Sequence, residues 1–277
     1  MNNKTNEIVI KTRKRLFGAN IGRNISAFKG DGLDFREIRE YNPGDDVKKI
    51  NWKVTAKNAG NKLYVNEFNE ERELNIVLLF MVSGNIYFGS HRSKQEAMSE
   101  ALSLLTQAAL MEDNKVTTIF YSDKIEQFFK PTKKLDSVYL TVDYALNINP
   151  IGKVANYESA FDYINSTIKQ KSIIFIIGDF YEDIDISQLL KHEVYSVIVR
   201  DRFEENPSFN SEITLQDLVS KEVVKISDTN SAISSYKSAI KAHDNRLFEH
   251  FDNFNTRFTK LYTNEDTYFK LLNLCAV

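Results

Sequence analysis

From residue 73 onward the sequence alternates short, strongly apolar runs with longer stretches whose apolar residues recur every three to four positions. Few folds accommodate that order. The strictly apolar run Ile76–Val82, rich in branched residues, predicts a strand over 74–82 that is buried on both faces of a parallel sheet. Between Lys94 and Glu112, Ala97, Ala101, Leu104, Leu105, Ala108 and Met111 recur at helical spacing with few β-branched residues between them, which predicts a helix. Val116–Phe120 is the next strand, and Ile125–Phe129 extends it or pairs with it after the Ser122-Asp123 turn. Helices over 135–146 and 158–170 precede the most apolar strand, Ser172–Gly178, and then a buried strand, Val194–Val199. Beyond Pro207 the pattern predicts a strand over 222–226, a long helix carrying Ile233, Tyr236, Ile240, Leu247, Phe251 and Phe254, a strand over 257–262 and a closing helix from Glu265. Strands alternating with helices of this length imply βαβ units, hence an α/β fold with a mostly parallel sheet, helices on both faces and right-handed crossovers. In such sheets ligands bind beyond the carboxyl ends of the strands, where strand order reverses.

Residues 1–72 have a different character. They are polar and turn-rich, with Gly30, Gly32, Gly44 and Gly60, and Lys62–Asn66 alternates as a small half-exposed strand would. The chain is therefore expected to divide into a basic arm plus a β-rich segment, 1–72, and a main domain, 73–277. The arm, residues 1–29, carries Lys4, Lys11, Arg13, Lys14, Arg15, Arg23 and Lys29 against Glu7 alone, a local charge of +6 that leaves −8 for the rest. Such an arm is solvated, folds back on its own acidic body, or docks on an acidic surface. Phe17 and Phe28 are too few to form a base-stacking platform, so nucleic acid is not the expected partner, while peripheral association with a membrane surface stays open.

The overall net charge of −2 shows no general bias toward polyanions. A seven-residue apolar run is far short of the roughly 20 residues of a membrane-spanning helix, and the polar start MNNKTNE has no apolar signal core, so a cytoplasmic location is expected. The single cysteine, Cys275, excludes an intramolecular disulfide and any cysteine cluster.

One stretch carries a specific motif. Gly32, Asp34, Phe35, Ile38-Arg39-Glu40-Tyr41, Pro43-Gly44-Asp45-Asp46, Trp52 and Thr55-Ala56 follow one another in an order that resembles the signature of the domain of unknown function 58 family. The alternation after residue 73 fits that family's von Willebrand factor A-like, Rossmann-like domain. The resemblance implies an adaptor or substrate-handling partner of a MoxR-type AAA+ ATPase, and of other von Willebrand factor A-domain proteins, rather than an enzyme. Physically, Asn42-Pro43-Gly44-Asp45 is a turn, with proline presetting the first corner and glycine accepting a positive φ at the second. Asp45 and Asp46 are then placed to pair with Arg36, Arg39, Lys48 or Lys49, and Trp52 is expected to anchor this segment to the main domain. With Tyr41, these residues form either a charged network that fixes the turn or a surface for a partner.

The resemblance also implies a metal-ion-dependent adhesion site, built from an aspartate-x-serine-x-serine run, a threonine and a second aspartate. Mg²⁺ needs hard oxygen ligands at each position. Here the run reads Met81-Val82-Ser83-Gly84-Asn85, and the threonine position falls on Ala155. Only Ser83, Asn85 and Asp179 remain as ligand types. A thioether and a methyl group leave one carboxylate, too little charge to offset dehydration of the ion. A degenerate site with no bound metal or cofactor is therefore expected, and Asp179 is as well explained by a cap or turn. The competing expectation is a divalent-metal-dependent ligand binder or hydrolase using those three residues. No nucleotide loop, nucleophile elbow or spaced histidine pair supplies other chemistry.

Overall fold

The computed structural model describes residues 3–18, 35–57, 62–68, 74–207, 213–216, 223–226 and 229–275. Two compact units result, one of residues 1–28 and 74–277 and one of residues 29–73.

In the larger unit, strands β3 (Asn75–Met81), β4 (Lys115–Tyr121), β5 (Ile125–Thr132), β6 (Ile173–Gly178), β7 (Glu193–Arg200) and β10 (Arg257–Tyr262) form one sheet in the order β10-β7-β6-β3-β4-β5. Every pairing is parallel except β4 with β5, a hairpin that closes one edge. The expected mostly parallel α/β sheet is thus present. Strand β3 shows why it forms: Ile76, Leu78, Phe80 and Val82 enter one core and Val77, Leu79 and Met81 the other. Burial on both faces requires a continuous apolar run, because successive side chains point to opposite sides.

The first core is covered by α3 (Lys94–Met111), α4 (Asp136–Asn147), α8 (Thr267–Cys275) and α1 (Asn3–Gly18). The second is covered by α5 (Tyr157–Thr167) and α7 (Thr229–Asn253). Helix α3 starts at Ser93, whose side chain accepts from the Glu96 N–H at 3.2 Å, and is followed by Asp113 at φ 56°, a left-handed stop. β8 (Ile213–Gln216) and β9 (Val223–Ile226) pair antiparallel as a separate two-stranded sheet.

The basic arm departs from the expected division. Residues 3–18 are helical and belong to the larger unit, because Thr5, Val9, Thr12 and Leu16, spaced three to four apart, turn one buried stripe onto α3 and α4. Charges flanking that stripe meet the acidic body: Lys4 pairs with Glu96, Lys11 with Glu100 and Arg15 with Asp266. Of the three arrangements open to the arm, folding back is the one adopted by the described residues; Arg23 and Lys29 lie outside them. Within the seam, Thr12 Oγ1 lies 2.8 Å from Ser103 Oγ and accepts from Gln107 Nε2 at 2.6 Å. Thr12→Val keeps the shape but removes this acceptor, and thermal unfolding should show a loss of about 1–2 kcal/mol.

The smaller unit pairs β1 (Phe35–Glu40) antiparallel with β2 (Tyr64–Phe68), with an irregular register between Phe35 and Glu37. The short helix α2 (Trp52–Lys57) lies between them in sequence. Asn51 caps α2 by accepting from the Val54 N–H at 3.1 Å.

Candidate functional site

Strand order reverses around β3: the chain moves outward through β4 and β5, then returns to the other side of β3 with β6 and continues to β7 and β10. The carboxyl ends of β3 and β6 therefore flank the switch point. Ser83 and Asp179 sit just beyond those ends, and the Ser83 hydroxyl donates to Asp179 Oδ2 at 3.0 Å in a buried contact. Two of the three residues singled out as ligand types are thus brought together. Asn85 lies in the 3-10 turn Gly84–Tyr87, half-exposed, and among the described residues no side-chain hydrogen bond joins it to the other two. Met81 and Ala155, the two positions where the resemblance would place further ligands, are buried in one core cluster with Tyr157.

The turn after β6 is tightly held. Gly178 is required there, since a Cβ would meet the Tyr157 hydroxyl at 2.5 Å. Phe180 has φ 51°, a costly conformation for an aromatic residue, and its N–H donates to Tyr157 Oη at 3.1 Å. Its carbonyl accepts from Arg200 Nη2 at 3.0 Å and meets His243 Nε2 at 2.8 Å.

Into this strand end reaches Lys94, the first residue of α3, whose side chain is fully buried. Its Nζ lies 2.6 Å from Glu204 Oε1 and 3.9 Å from Asp179 Oδ2. Tyr181 covers both local cations. Its ring stands 3.5 Å from the Arg200 guanidinium carbon and 5.0 Å from Lys94 Nζ, and its hydroxyl donates to Glu204 Oε2 at 3.2 Å. Burial pushes the Glu204 carboxyl up despite the Lys94 ammonium. Arg200, fully buried, also donates to Asp244 at 3.2 Å, and Asp244 accepts from Lys260 at 2.7 Å.

Asp201 closes the rim. It accepts from the Ser90 N–H at 2.9 Å, the Phe203 N–H at 2.8 Å and the Thr263 hydroxyl at 2.5 Å, while Glu204 returns the capping box of α6 (Arg202–Glu205) by accepting from the Asp201 N–H. Burial alone would raise Asp201; these donors outweigh it and lower it. Among the described residues no three His, Cys, Asp or Glu side chains are grouped as metal ligands. Ser83 and Asp179 supply two oxygens, but an ammonium already balances them, so a divalent ion does not fit the residues present.

Sequence reasoning missed Lys94, Tyr181, Arg200 and Glu204. One signal was available: a lysine in the first turn of a helix opposes the macrodipole and needs a local reason.

In the signature unit, the predicted turn is present: the Asp45 N–H donates to Asn42 O at 3.0 Å, and Gly44 has φ 112°. Arg39 grips Asp45 through two bonds of 2.7 and 2.8 Å. That guanidinium, with the Asn42 N–H, holds the Asp45 carboxyl down to about 2. Asp46 makes a cap, accepting from the Lys48 N–H at 3.0 Å. Tyr41 is half-buried, and its N–H donates to Leu63 O at 2.8 Å. Within this unit Trp52 is 66% exposed and Val47 62%. The Arg36 side chain lies outside the described residues.

A family model described as "Protein of unknown function DUF58" matches residues 37–246. Uncharacterized proteins of Mycobacterium bovis and Mycobacterium tuberculosis are each 24% identical over 255 residues, covering 87% of this chain and 77% of theirs. Among solved structures, an aerotolerance-related membrane protein from Bacteroides fragilis is 11% identical, covers 73% of this chain and 96% of its own, and superposes with a TM-score of 0.49. A conserved hypothetical protein, BatB, from Bacteroides thetaiotaomicron is also 11% identical, covering 73% of this chain and 95% of its own with a TM-score of 0.47. Among the described residues no helix is long and apolar enough to cross a membrane.

Proposed function

Since the chain belongs to the DUF58 family, whose description assigns no activity, we propose that it is a non-enzymatic interaction module, an adaptor that works with a MoxR-type AAA+ ATPase in client handling or complex maturation. The reading takes the main unit as a von Willebrand factor A-like scaffold whose adhesion site is degenerate, and places the protein in the cytoplasm. One observation carries the non-enzymatic part. At the switch point, where an α/β enzyme would present its reactive groups, Ser83, Asp179 and Lys94 are 3%, 2% and 0% exposed and are satisfied by one another and by Glu204. A group that is buried and already partnered has no face to offer a substrate.

Partner contact is assigned to the signature unit. Arg39, Asp45 and Asp46 fix its turn, and Val47, Lys48, Lys49, Trp52, Lys53 and Lys57 are exposed beside that turn in sequence. An exposed tryptophan flanked by lysines is the kind of group that anchors interfaces. The test is copurification of the full chain with its ATPase in the absence of nucleotide and with ATP or ADP. Association in at least one state is expected, weakened at least about tenfold by Trp52→Ala, which corresponds to about 1.4 kcal/mol. No association in any state overturns the proposal, and hydrolysis that a chelator abolishes would replace it with the metal-dependent alternative.

A further inference from the structure

The metal site implied by the resemblance and the residues present at the strand end disagree, and the disagreement has a specific physical content. Loss of ligands alone would leave Asp179 as a buried carboxylate with a single hydroxyl donor, Ser83. Burial of an ion without a partner is strongly unfavourable, so a fold that discards its metal must either discard the carboxylate or supply another cation. This chain supplies one. We infer that the Lys94 ammonium is a tethered cation standing where a divalent ion would, between Ser83, Asp179 and the α6 carboxylate Glu204, so that the strand end is complete without metal and gains divalent-cation binding when the ammonium is removed.

The placement of Lys94 supports this in three ways. It occupies the first turn of α3, where the unsatisfied N–H groups carry partial positive charge and a lysine is electrostatically unfavourable. A lysine in that position ordinarily extends into water, yet this side chain is fully buried. Finally, it does not meet one carboxylate by chance: its Nζ bridges two, contributed by the loop after β6 and by α6, at 3.9 and 2.6 Å, under the ring of Tyr181. A bridging cation between oxygen groups from separate segments is the role a bound ion plays. An ammonium plays it with three hydrogens and one charge, and cannot dissociate. The strand end then stays closed at any divalent-ion concentration.

This inference rests on the reading of the strand end as degenerate but not on the ATPase partnership, so a metal titration and the copurification above can fail independently. The test uses the full chain with Mn²⁺ as probe, read by electron paramagnetic resonance of free Mn²⁺ and by melting temperature. The wild type should show no shift with millimolar Mn²⁺. Lys94→Ala, which opens space between the two carboxylates, should bind Mn²⁺ at least about tenfold more tightly than the wild type. Lys94→Met, which fills the space without charge, should not gain binding, and adding Asp179→Asn to Lys94→Ala should abolish the gain. If Lys94→Ala does not fold in metal-free buffer, refolding in Mn²⁺ becomes the readout: recovery of native circular dichroism supports the inference, and failure to recover overturns it. Mn²⁺ binding by the wild type that Asp179→Asn removes, or a folded Lys94→Ala with no gain, also overturns it.

Discussion

Lys94→Met should destabilise the folded protein by about 3–5 kcal/mol at neutral pH, the range found when one partner of a buried ion pair is removed. For a unit of this size that lowers the melting temperature by about 10 °C or more. The cost comes from what is left behind. Methionine fills much of the space, but Asp179 at 2% exposure and Glu204, whose side chain is 14% exposed, lose their cation. The effect has a signed pH dependence. Glu204 is already held above the usual carboxylate range by burial, and loss of the ammonium raises it further. A carboxyl whose folded pKa lies above its unfolded value binds more protons when folded, so the variant should regain stability relative to wild type as pH falls from 7 toward the unfolded carboxylate value near about 4.3. Adding Glu204→Leu should recover part of the loss, because a pair removed together leaves fewer uncompensated charges than a pair broken. Denaturant unfolding of Lys94→Met, Glu204→Leu and the double variant at pH 5 and pH 7 checks all of this; equal destabilisation by Lys94→Met at both pH values, or additive single losses, would refute the account.

The second large effect is expected at Glu100. Its side chain is 4% exposed and joins three segments: it pairs with Lys11 of α1 at 2.7 Å, accepts from Arg92 before α3, and accepts from Thr267 of α8 at 2.7 Å. Burial alone would raise this carboxyl, but the Lys11, Thr267 and Arg92 donors win and lower it. Its stabilisation is therefore full above the unfolded glutamate value and is lost as pH falls through the depressed folded value. Glu100→Ala should cost about 2–4 kcal/mol at pH 7, less than the Lys94 variant because Lys11 and Arg92 are 48% and 23% exposed and can turn to water. Because this carboxylate ties α1 to the body, hydrogen exchange should show α1 losing protection ahead of the sheet. The difference between wild type and variant should shrink below pH 4, and a difference that persists at pH 2 would contradict the assigned charge state.

Much of this fold was legible because burial leaves a period in the sequence. The run at 76–82 and the stretch at 173–178 are apolar at every position, which only a strand covered on both sides needs. The spacing of Ala97, Ala101, Leu104 and Ala108 is one face of a helix. The Pro43-Gly44 turn could be read down to the positive φ of its glycine. Helix α1 escaped for a corresponding reason: two of its four buried stripe positions are threonines, Thr5 and Thr12, whose hydroxyls bond to Asp143 and to Ser103, so its inward face does not read as apolar.

The candidate site was half legible. Ser83 and Asp179 follow recognisable strands, and the rule that ligands gather at strand ends brings them together on paper as it does in space. Nothing local marks Lys94 as their partner. Its place in the first turn of α3 is unfavourable but names no partner until the crossover between β3 and β4 aims it at the strand end, where Glu204, 110 residues later, meets it. Hydrophobic periodicity is a local property, so the order and type of the six strands of the main sheet, and of the longer helices that connect them, can be read from the order of the amino acids. Which charge would neutralise which was decided only by tertiary structure. Electrostatic compensation depends on distance through space and on desolvation, and neither exists until the sheet has been assembled and covered.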